Sequence, residues 1–313
     1  MTIMTVRGPI EDAELSITQP HEHILVDLYG TVTVWNYSAF EDEALAAEEL
    51  ASFTAAGGRS IVETTTIGIG RNPAGLRRIS EATGINIVMG TGWYRQPVYP
   101  DYIARSSVDE LAHRLIGDIV DGVDGTGVRA GVIGEIGTEV DVLGPAQERV
   151  FRAAARAQRQ TGVAITTHCQ RTGRLGQEQI AILRAEGVAP DRIVIGHHGD
   201  KRHVDHELGL LEHGVYVQVD HVGFHDLQPD PQRARNVKAI IDAGYGDRLL
   251  ISQDVCFPQH LEWFGGYGYG YLLTRFVPML LEIGVTQAQI DALLVDNPAR
   301  VLSIRTDPGE AGA

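Results

Sequence analysis

Several short apolar runs of this sequence end in a side chain that can bind a metal ion. These side chains are Glu135, His168, His197, Asp220, His221 and Asp254. The sequence also contains His21-Glu22-His23. Because alternate residues of a strand point the same way, His21 and His23 can face one site together. Imidazole and carboxylate ligands suit Zn²⁺, Mn²⁺, Co²⁺ or Fe²⁺ better than Ca²⁺ or Mg²⁺.

Six of these side chains supply enough ligands for two divalent metal ions per chain. We expect His21, His23 and Asp254 to bind one ion, His168 and His197 to bind the other, and Glu135 to bridge them. Zinc is the metal we expect first, with manganese, cobalt or iron as alternatives. Two such ions about 3.5–4 Å apart make a hydrolytic site, in which a bridging hydroxide attacks the substrate.

The elements that must position these residues form a repeating pattern of strands and helices. Apolar runs predict strands at Ile24–Leu28, Ser60–Thr65, Asn86–Gly90, Ala130–Glu135, Ala164–His168, Arg192–His197, Tyr216–Asp220 and Leu249–Asp254. Between them, the clearest helical patterns lie at Glu41–Ala56, Ala146–Gln160, Gln177–Glu186 and Gln232–Ala243.

Eight strands alternating with helices predict a parallel sheet closed into a (β/α)₈ TIM barrel, in the α/β class. We expect one domain over residues 1–313, with a frayed tail at about 305–313. In such a barrel the strand ends meet at one rim, where the chemistry takes place. An open, doubly wound sheet is the alternative, although no Gly-x-Gly-x-x-Gly motif follows the first strand.

The amino-acid composition limits the classes of molecule that the protein is expected to bind. The 313 residues include 41 acidic and 26 basic side chains, which give a net charge of −15. We therefore expect no nucleic-acid and no membrane partner. Two cysteines, Cys169 and Cys256, do not suggest a disulfide framework, and the N-terminus lacks the layout of a secretory signal. These features predict a cytoplasmic protein that acts on a small molecule.

The chain resembles the phosphotriesterase family of the amidohydrolase superfamily over nearly its whole length. The motifs that carry the resemblance occur in family order: Thr18-Gln19-Pro20-His21-Glu22-His23, Gly68-Ile69-Gly70-Arg71-Asn72-Pro73, Gly90-Thr91-Gly92-Trp93-Tyr94, Gly134-Glu135-Ile136-Gly137, Thr167-His168, Gly196-His197, Ser252-Gln253-Asp254, Gly266-Tyr267-Gly268-Tyr269 and Asn297-Pro298-Ala299-Arg300. The resemblance implies a metal-dependent barrel that hydrolyses phosphotriesters, lactones or amides, and it implies a homodimer.

One residue departs from the best-known family members, which bridge their metals with a carboxylated lysine on the fourth strand. This chain resembles instead the subset with a Gly-Glu-Ile-Gly motif, such as the phosphotriesterase homology and phosphotriesterase-related proteins, in which Glu135 would bridge. The resemblance also implies that Asp254 takes a proton during the attack, and that His221 and Asp200 relay it outward.

Substrate contacts follow from position alone. Trp93 and Tyr94 come after the third strand, and an aromatic segment after the eighth strand contains Phe257, Trp263, Phe264 and Tyr267. We expect Trp93, Tyr94, Phe257, Trp263 and Tyr267 to contact the substrate. Arg71, Arg95 and Arg275 are candidate cationic contacts, but the acidic composition and aromatic lid favour a neutral carbonyl substrate.

Three functions remain open on the sequence. The first is hydrolysis of an ester, lactone or amide, and the second is hydrolysis of a phosphotriester or phosphodiester at the same metals. The third is a barrel that binds a ligand without catalysis, which should have lost at least one ligand. Each candidate residue also has a plain structural interpretation, such as a buried core histidine or an exposed ion pair at Asp200.

Overall fold

The computed structural model describes residues 1–31, 38–138, 142–169 and 175–305. The predicted frayed tail beyond residue 305 lies outside the described residues. The strands are β1 (Thr2–Thr5), β2 (Gly8–Glu11), β3 (Thr18–Glu22), β4 (Val26–Asp27), β5 (Ala39–Phe40), β6 (Ser60–Glu63), β7 (Asn86–Thr91), β8 (Val132–Gly137), β9 (Ala164–His168), β10 (Ile193–Ile195), β11 (Tyr216–Val219) and β12 (Leu249–Ile251).

Eight of these strands form one parallel sheet. The order is β3-β6-β7-β8-β9-β10-β11-β12, so that each strand pairs with its neighbours along the chain. The two edges approach each other, because Asp254 donates its backbone N–H to His21 O at 3.2 Å and His21 N donates to Ser252 Oγ at 3.1 Å. The sheet is therefore a nearly closed (β/α)₈ TIM barrel, as predicted.

Among the described residues, one short helix precedes the first barrel strand, helices occupy the connections between the barrel strands, and three more follow the last one. They are α1 (Asp12–Leu15), α2 (Glu43–Ala55), α3 (Pro73–Thr83), α4 (Val108–Val120), α5 (Pro145–Thr161), α6 (Gly176–Ala185), α7 (Asp205–Leu211), α8 (Asp230–Ile240), α9 (Val277–Glu282), α10 (Gln287–Asp291) and α11 (Asn297–Leu302). Local sequence sets their ends. For example, the side chain of Ser107 accepts from Glu110 N at the start of α4, and Gly84 ends α3 in the left-handed conformation.

Alternation along the strands separates two apolar layers. Odd-numbered residues such as Ile165, Ile193 and Val217 belong to the large core between barrel and helices. Their even-numbered neighbours, such as Val194 and Tyr216, fill the lower part of the barrel interior. Further along the same inward faces, polar residues replace the apolar ones. Apolar side chains thus fill one end of the barrel, and polar side chains that can do chemistry lie at the other end.

The predicted first strand, Ile24–Leu28, was wrong. The barrel strand is β3, Thr18–Glu22, and only Val26–Asp27 of the predicted segment is a strand, paired with Ala39–Phe40 in a small hairpin. The polar side chains of β3 are stabilised by partners across the barrel, as when Gln19 Nε2 donates to Gln253 Oε1 at 2.8 Å. A search for apolar runs misses such a strand because tertiary partners, not hydrophobicity, satisfy it.

The helices of the described residues are all too short or too polar to traverse a lipid bilayer.

Candidate metal centre

The six predicted metal ligands meet at the carboxyl-terminal end of the barrel, with Glu135 between the imidazoles. Glu135 Oε1 lies 3.4 Å from His23 Nε2. Glu135 Oε2 lies 3.6 Å from His21 Nε2, 3.2 Å from His168 Nδ1 and 3.3 Å from His197 Nε2. One carboxylate therefore faces both pairs of histidines, which is the position that a bridging ligand needs.

Asp254 completes one half of the cluster. Its Oδ1 lies 3.2 Å from His23 Nε2 and 3.6 Å from His21 Nε2. On the other half, His197 Nε2 lies 2.8 Å from His168 Nδ1. Asp254 thus lies beside His21 and His23, and His168 lies beside His197, with Glu135 in contact with all four imidazoles.

Regular strand geometry delivers His168, whereas Asp254 follows the end of β12 in a left-handed conformation with a φ of 52°. On β9, Ala164, Thr166 and His168 share the inward face because they are spaced by two residues. After β12, Ser252 and Asp254 continue the inward series that begins at Leu250. Each series runs from an apolar residue at the packed end, through a hydroxyl, to a ligand at the rim.

Backbone irregularities deliver Glu135 and His197. The pairing of β8 with β9 shifts register between Ile133 and Ile136, and Gly134 has a φ of 126°. A Cβ at Gly134 would lie 2.1 Å from Thr166 O, so that only glycine fits this approach. His197 has a φ of 61°, a left-handed conformation that ends the strand two residues earlier than predicted and turns its ring toward Glu135.

The cluster favours positive charge. Burial alone would raise the pKa of Glu135, but the surrounding histidines hold it well below its usual range. Burial would likewise raise the pKa of Asp254, yet the neighbouring imidazoles of His221 and His23 lower it well below its ordinary value. Conversely, burial lowers the pKa of His23, but Asp254 and Glu135 raise it to about 10. Glu135 and Asp254 are therefore ionised, and ionised carboxylates stabilise nearby cations.

Some of the predicted ligand atoms have no hydrogen-bond partner in the described part of the protein, which is what a metal-binding atom requires. Among the described residues, His21 Nε2 and Asp254 Oδ1 are buried without a hydrogen-bond partner. Leaving buried polar atoms unpaired costs about 1–3 kcal/mol each. Among the described residues, four groups of side chains have ligand atoms close enough to share one ion. Two of them contain Glu135, and the full set is His21-His23-Glu135, Glu135-His168-His197, His21-His197-Asp220 and His197-His221-Asp254. Buried imidazole and carboxylate donors of this kind fit divalent transition metals.

Asp220, which the sequence analysis places at a strand end without giving it a role, contacts two of the predicted ligands. It is fully buried, and its Oδ2 lies 3.4 Å from His21 Nδ1 while its Oδ1 lies 3.2 Å from His197 Nδ1. On the far side, His23 Nδ1 lies 2.8 Å from Thr65 Oγ1. These contacts fix the imidazole rings so that their Nε2 atoms face the cluster. The position of Asp220 at a strand end was the available signal.

The three residues predicted for proton transfer form a chain that leads away from the cluster. Asp254 Oδ2 lies 3.4 Å from His221 Nε2, and His221 Nδ1 lies 2.5 Å from Asp200 Oδ2. Arg233 is fully buried and donates through Nη2 to Asp200 Oδ1 at 2.7 Å. Asp200 is therefore a buried, charge-paired residue and not the exposed ion pair that was its alternative interpretation.

A cavity of about 430 Å³ opens above the cluster. Of the five predicted substrate contacts, Tyr94 and Phe257 line it. Tyr94 Oη lies 3.3 Å from His168 Nδ1, and burial raises the pKa of Tyr94 well above its usual value, so that its hydroxyl stays protonated. A protonated phenol in this position can donate a hydrogen bond to a substrate oxygen.

The other three predicted contacts lie outside the described lining of this cavity. Trp93 is fully buried in the core and donates from Nε1 to Tyr102 Oη at 2.8 Å. Trp263 is 66% exposed, and Tyr267 packs against Gly223 and stacks on His260. Their aromatic character and chain position suggested the site, but packing partners elsewhere decide where each ring lies.

The three candidate arginines lie in three different places in the structure. Arg95 lines the cavity, whereas Arg71 lies in a second cleft and donates to Asp118 Oδ2 at 2.6 Å. Arg275 is an exposed residue of the π-helical turn Leu272–Phe276. Both cysteines line the cavity although they are buried.

Comparison with known proteins identifies the family of this chain. The model of the phosphotriesterase family matches residues 1–302. The phosphotriesterase homology protein of Escherichia coli is 38% identical, with 90% of this chain and 96% of that protein covered. Its crystal structure, complexed with phosphate in the active site, has a TM-score of 0.89, 37% identity and coverage of 93% and 99%.

Two further relatives are named for hydrolytic activities. The N-acetyltaurine hydrolase of Danio rerio is 31% identical, with 97% of this chain and 98% of the relative covered. A lactonase from Listeria monocytogenes has a TM-score of 0.92 and 25% identity, with 98% and 100% of the two chains covered. Family, relatives and barrel agree: this chain is a hydrolase that belongs to the phosphotriesterase family.

Proposed function

We propose that this chain hydrolyses an ester, lactone or amide at a centre of two divalent metal ions. The observation that carries the proposal is the position of Glu135, whose two oxygens face His23 on one side and His168 and His197 on the other. Two cations bound here would lower the pKa of a water molecule and polarise the scissile carbonyl. Side chains of the protein would carry out the proton transfers and hold the substrate.

His21, His23 and Asp254 would hold one ion, and His168 and His197 the other, with Glu135 between them. Zinc remains the first candidate, with manganese, cobalt or iron as alternatives. Asp220 and Thr65 support this assignment because they orient the imidazole rings from behind.

Asp254 would take the proton that attacking water releases. Its Oδ2 lies 3.4 Å from His221 Nε2, and Asp200 holds the opposite ring nitrogen. If Nδ1–H of His221 donates to Asp200, then Nε2 is the nitrogen that accepts a proton from Asp254. An alkoxide or amine leaves poorly unless it is protonated, so that this proton must return to the leaving group. Tyr94 would donate a hydrogen bond to the substrate.

The relatives support a carbonyl substrate, because one is named an N-acetyltaurine hydrolase and another a lactonase. A phosphoester substrate at the same site is the alternative, and a phosphate occupies the active site of the Escherichia coli relative. A barrel without catalysis is disfavoured because all six ligand side chains converge.

The test is a metal analysis followed by a substrate screen. We expect mass spectrometry to find about two divalent ions per chain, and we expect the zinc- or manganese-loaded protein to hydrolyse members of a lactone or N-acyl amide panel. Glu135→Gln should lose metal and activity, whereas Glu48→Gln, on an exposed face of α2, should lose neither. Metal near zero, or activity confined to phosphotriesters, would refute the proposal.

The homodimer and cytoplasmic location expected from the sequence remain predictions. Analytical ultracentrifugation of the metal-loaded protein tests the first, and fractionation of cells that express the chain tests the second.

A further inference from the structure

The carboxylate of Glu22 binds the backbone on both sides of Asp254. Its Oε1 accepts from Gln253 N at 2.7 Å, and its Oε2 accepts from Val255 N at 2.8 Å. Glu22 is fully buried, and among the described residues it belongs to none of the groups whose ligand atoms could share a metal ion. Its carboxylate therefore holds both neighbours of a predicted ligand.

A hydroxyl group extends this contact across the seam at which the barrel closes. Ser252 donates from Oγ to Glu22 Oε1 at 2.7 Å and accepts from His21 N at 3.1 Å. Glu22 is the last residue of β3, and Ser252 follows β12. The three donors that the carboxylate binds thus all belong to the segment that carries Asp254.

Asp254 depends on its backbone for its orientation. Its φ of 52° is a left-handed value that a residue other than glycine adopts only where the surrounding structure holds it. Within the described part of the chain, its Oδ1 is buried without a hydrogen-bond partner. The place of this oxygen beside His21 and His23 is therefore set by the peptide groups on either side and not by hydrogen bonds of its own.

A second buried carboxylate binds the same segment farther along the chain. Glu49 of α2 accepts from Glu262 N at 2.8 Å and from Trp263 N at 2.7 Å. In the described lining of the cavity, Phe257 is the last residue in chain order. Glu49 thus makes the same kind of contact as Glu22, but to residues that do not border the site.

We propose that Glu22 is a positioning residue, which orients Asp254 toward the metal centre by binding the two peptide N–H groups that flank it. This inference rests on the proposed function and adds a residue to its machinery. A glutamine at this position has one acceptor oxygen, and its NH₂ group would face one of the peptide N–H groups. Glu22→Gln should therefore release one side of Asp254.

Zinc affinity, measured by competition with a chelator, tests this role without a substrate. We expect Glu22→Gln to weaken the binding of one zinc ion per chain by about 10- to 100-fold, the usual cost of losing a residue that orients a ligand. Glu49→Gln is the matched control and should bind zinc like the parent protein. If circular dichroism shows that Glu22→Gln does not fold, Glu22→Asp replaces it, and its shorter side chain should weaken zinc binding in the same direction.

A double-mutant cycle shows whether Glu22 acts through Asp254. Asp254→Gly removes the side chain, while glycine still permits the left-handed backbone. In this background Glu22 has no ligand to orient, so that the further change Glu22→Gln should alter zinc affinity by less than about twofold. A full effect of Glu22→Gln in the Asp254→Gly protein would show that Glu22 acts through its neighbours His21 and His23, and it would overturn the inference.

The remaining outcomes distinguish this inference from the proposed function. Zinc affinity that is unchanged in Glu22→Gln, or that falls equally in Glu49→Gln, would overturn the role of Glu22 while the proposed function stands. Zinc affinities that follow the expectations, without hydrolysis of any lactone or amide, would refute the proposed function and leave the role of Glu22 standing. A parent protein that binds no zinc, manganese, cobalt or iron would refute both.

Discussion

The carboxylate of Asp220 contacts both the backbone N–H and the imidazole ring of His197. The His197 N–H lies 3.1 and 3.0 Å from the two carboxylate oxygens of Asp220, and the ring Nδ1 lies 3.2 Å from Oδ1. The second oxygen lies 3.4 Å from His21 Nδ1. One carboxylate thus contacts the Nδ1 atoms of His21 and His197, on the side of each ring opposite the Nε2 atom that lies near Glu135.

Asp220→Asn should weaken metal binding without removing a ligand. An amide cannot accept from both imidazoles and the backbone N–H at once, so that the rings lose their orientation. We expect a loss of about 10- to 100-fold in metal affinity, measured by competition with a chelator of known affinity. Asp205→Asn, an exposed change of equal charge at the start of α7, is the control. Unchanged affinity in Asp220→Asn would contradict the orienting role.

Asp254→Asn should retain metal and lose turnover. Asn tolerates the left-handed backbone that Asp254 adopts, with a φ of 52°, and its amide oxygen can still coordinate. It cannot take a proton from attacking water. We expect kcat to fall by about 10²–10⁴-fold, with metal content measured on the same sample. Turnover near that of the parent protein would rule out the proton-transfer role.

Asp200→Asn tests the outer part of the relay. The buried Asp200 carboxylate joins His221 to Arg233, so that an amide in its place no longer fixes the ring of His221. We expect kcat to fall by about 10- to 100-fold, while metal affinity stays that of the parent protein. Asp226→Asn is a poor control because Asp226 lines the cavity; Asp205→Asn is again the appropriate one. A full rate in Asp200→Asn would show that protons leave by another route.

Replacing either of two glycines by alanine should change the stability of the fold, in opposite directions. A Cβ at Gly90, in β7, would lie 2.0 Å from Gly134 O, which is backbone and cannot move aside. Gly90→Ala should therefore lower the free energy of unfolding by about 1–3 kcal/mol. Gly117, inside α4, has open space around its Cβ position, and Gly117→Ala should raise stability by about 0.5–1 kcal/mol. Urea unfolding in the presence of a chelator measures both.

Glu186 gives a pH-dependent contribution to stability. It accepts from Arg152 Nη1 at 2.6 Å and from Arg156 Nε at 3.1 Å, and so joins the end of α6 to α5. Burial raises its pKa, but the two arginines outweigh burial and lower it below 4.5. A lowered carboxyl pKa stabilises the fold above the unfolded value, and this stabilisation is lost as pH falls through the folded pKa.

Glu186→Gln should thus be less stable than the parent protein by about 1 kcal/mol near neutral pH, and this difference should shrink in acid. Chemical unfolding of both proteins from pH 7 down to about 3 measures it, with Glu48→Gln as an exposed control. A difference that stays constant with pH would show that Glu186 acts through shape and not through charge.

The sequence predicted the barrel and the ligand set because both leave local marks. His168 follows an apolar run in strict alternation, and Asp254 follows shortly after another apolar run, so that both could be placed at one rim. The first strand escaped prediction because the partners of Gln19 lie more than 230 residues away along the chain. Trp93 and Arg95 were equally plausible pocket residues, and only tertiary packing sends one into the core and the other into the cavity.

Backbone conformation was the other element that sequence patterns did not show. Strand alternation alone would point His197 away from the barrel interior, and its left-handed φ reverses that direction. The register shift beside Glu135 has the same effect. A histidine gives no propensity signal for the left-handed φ of His197, whereas Gly134 beside Glu135 is a residue type that permits such a backbone but does not reveal the register shift.

The predicted ligands extend from His21 to Asp254, and the seam between β3 and β12 brings the two ends together. A growing polypeptide on the ribosome has most of its imidazoles long before it has the aspartate that completes the set. Tight capture of metal must therefore await emergence of the last barrel strand. A protein molecule that holds its full set of metal ions would therefore be one whose last barrel strand has been synthesised and folded.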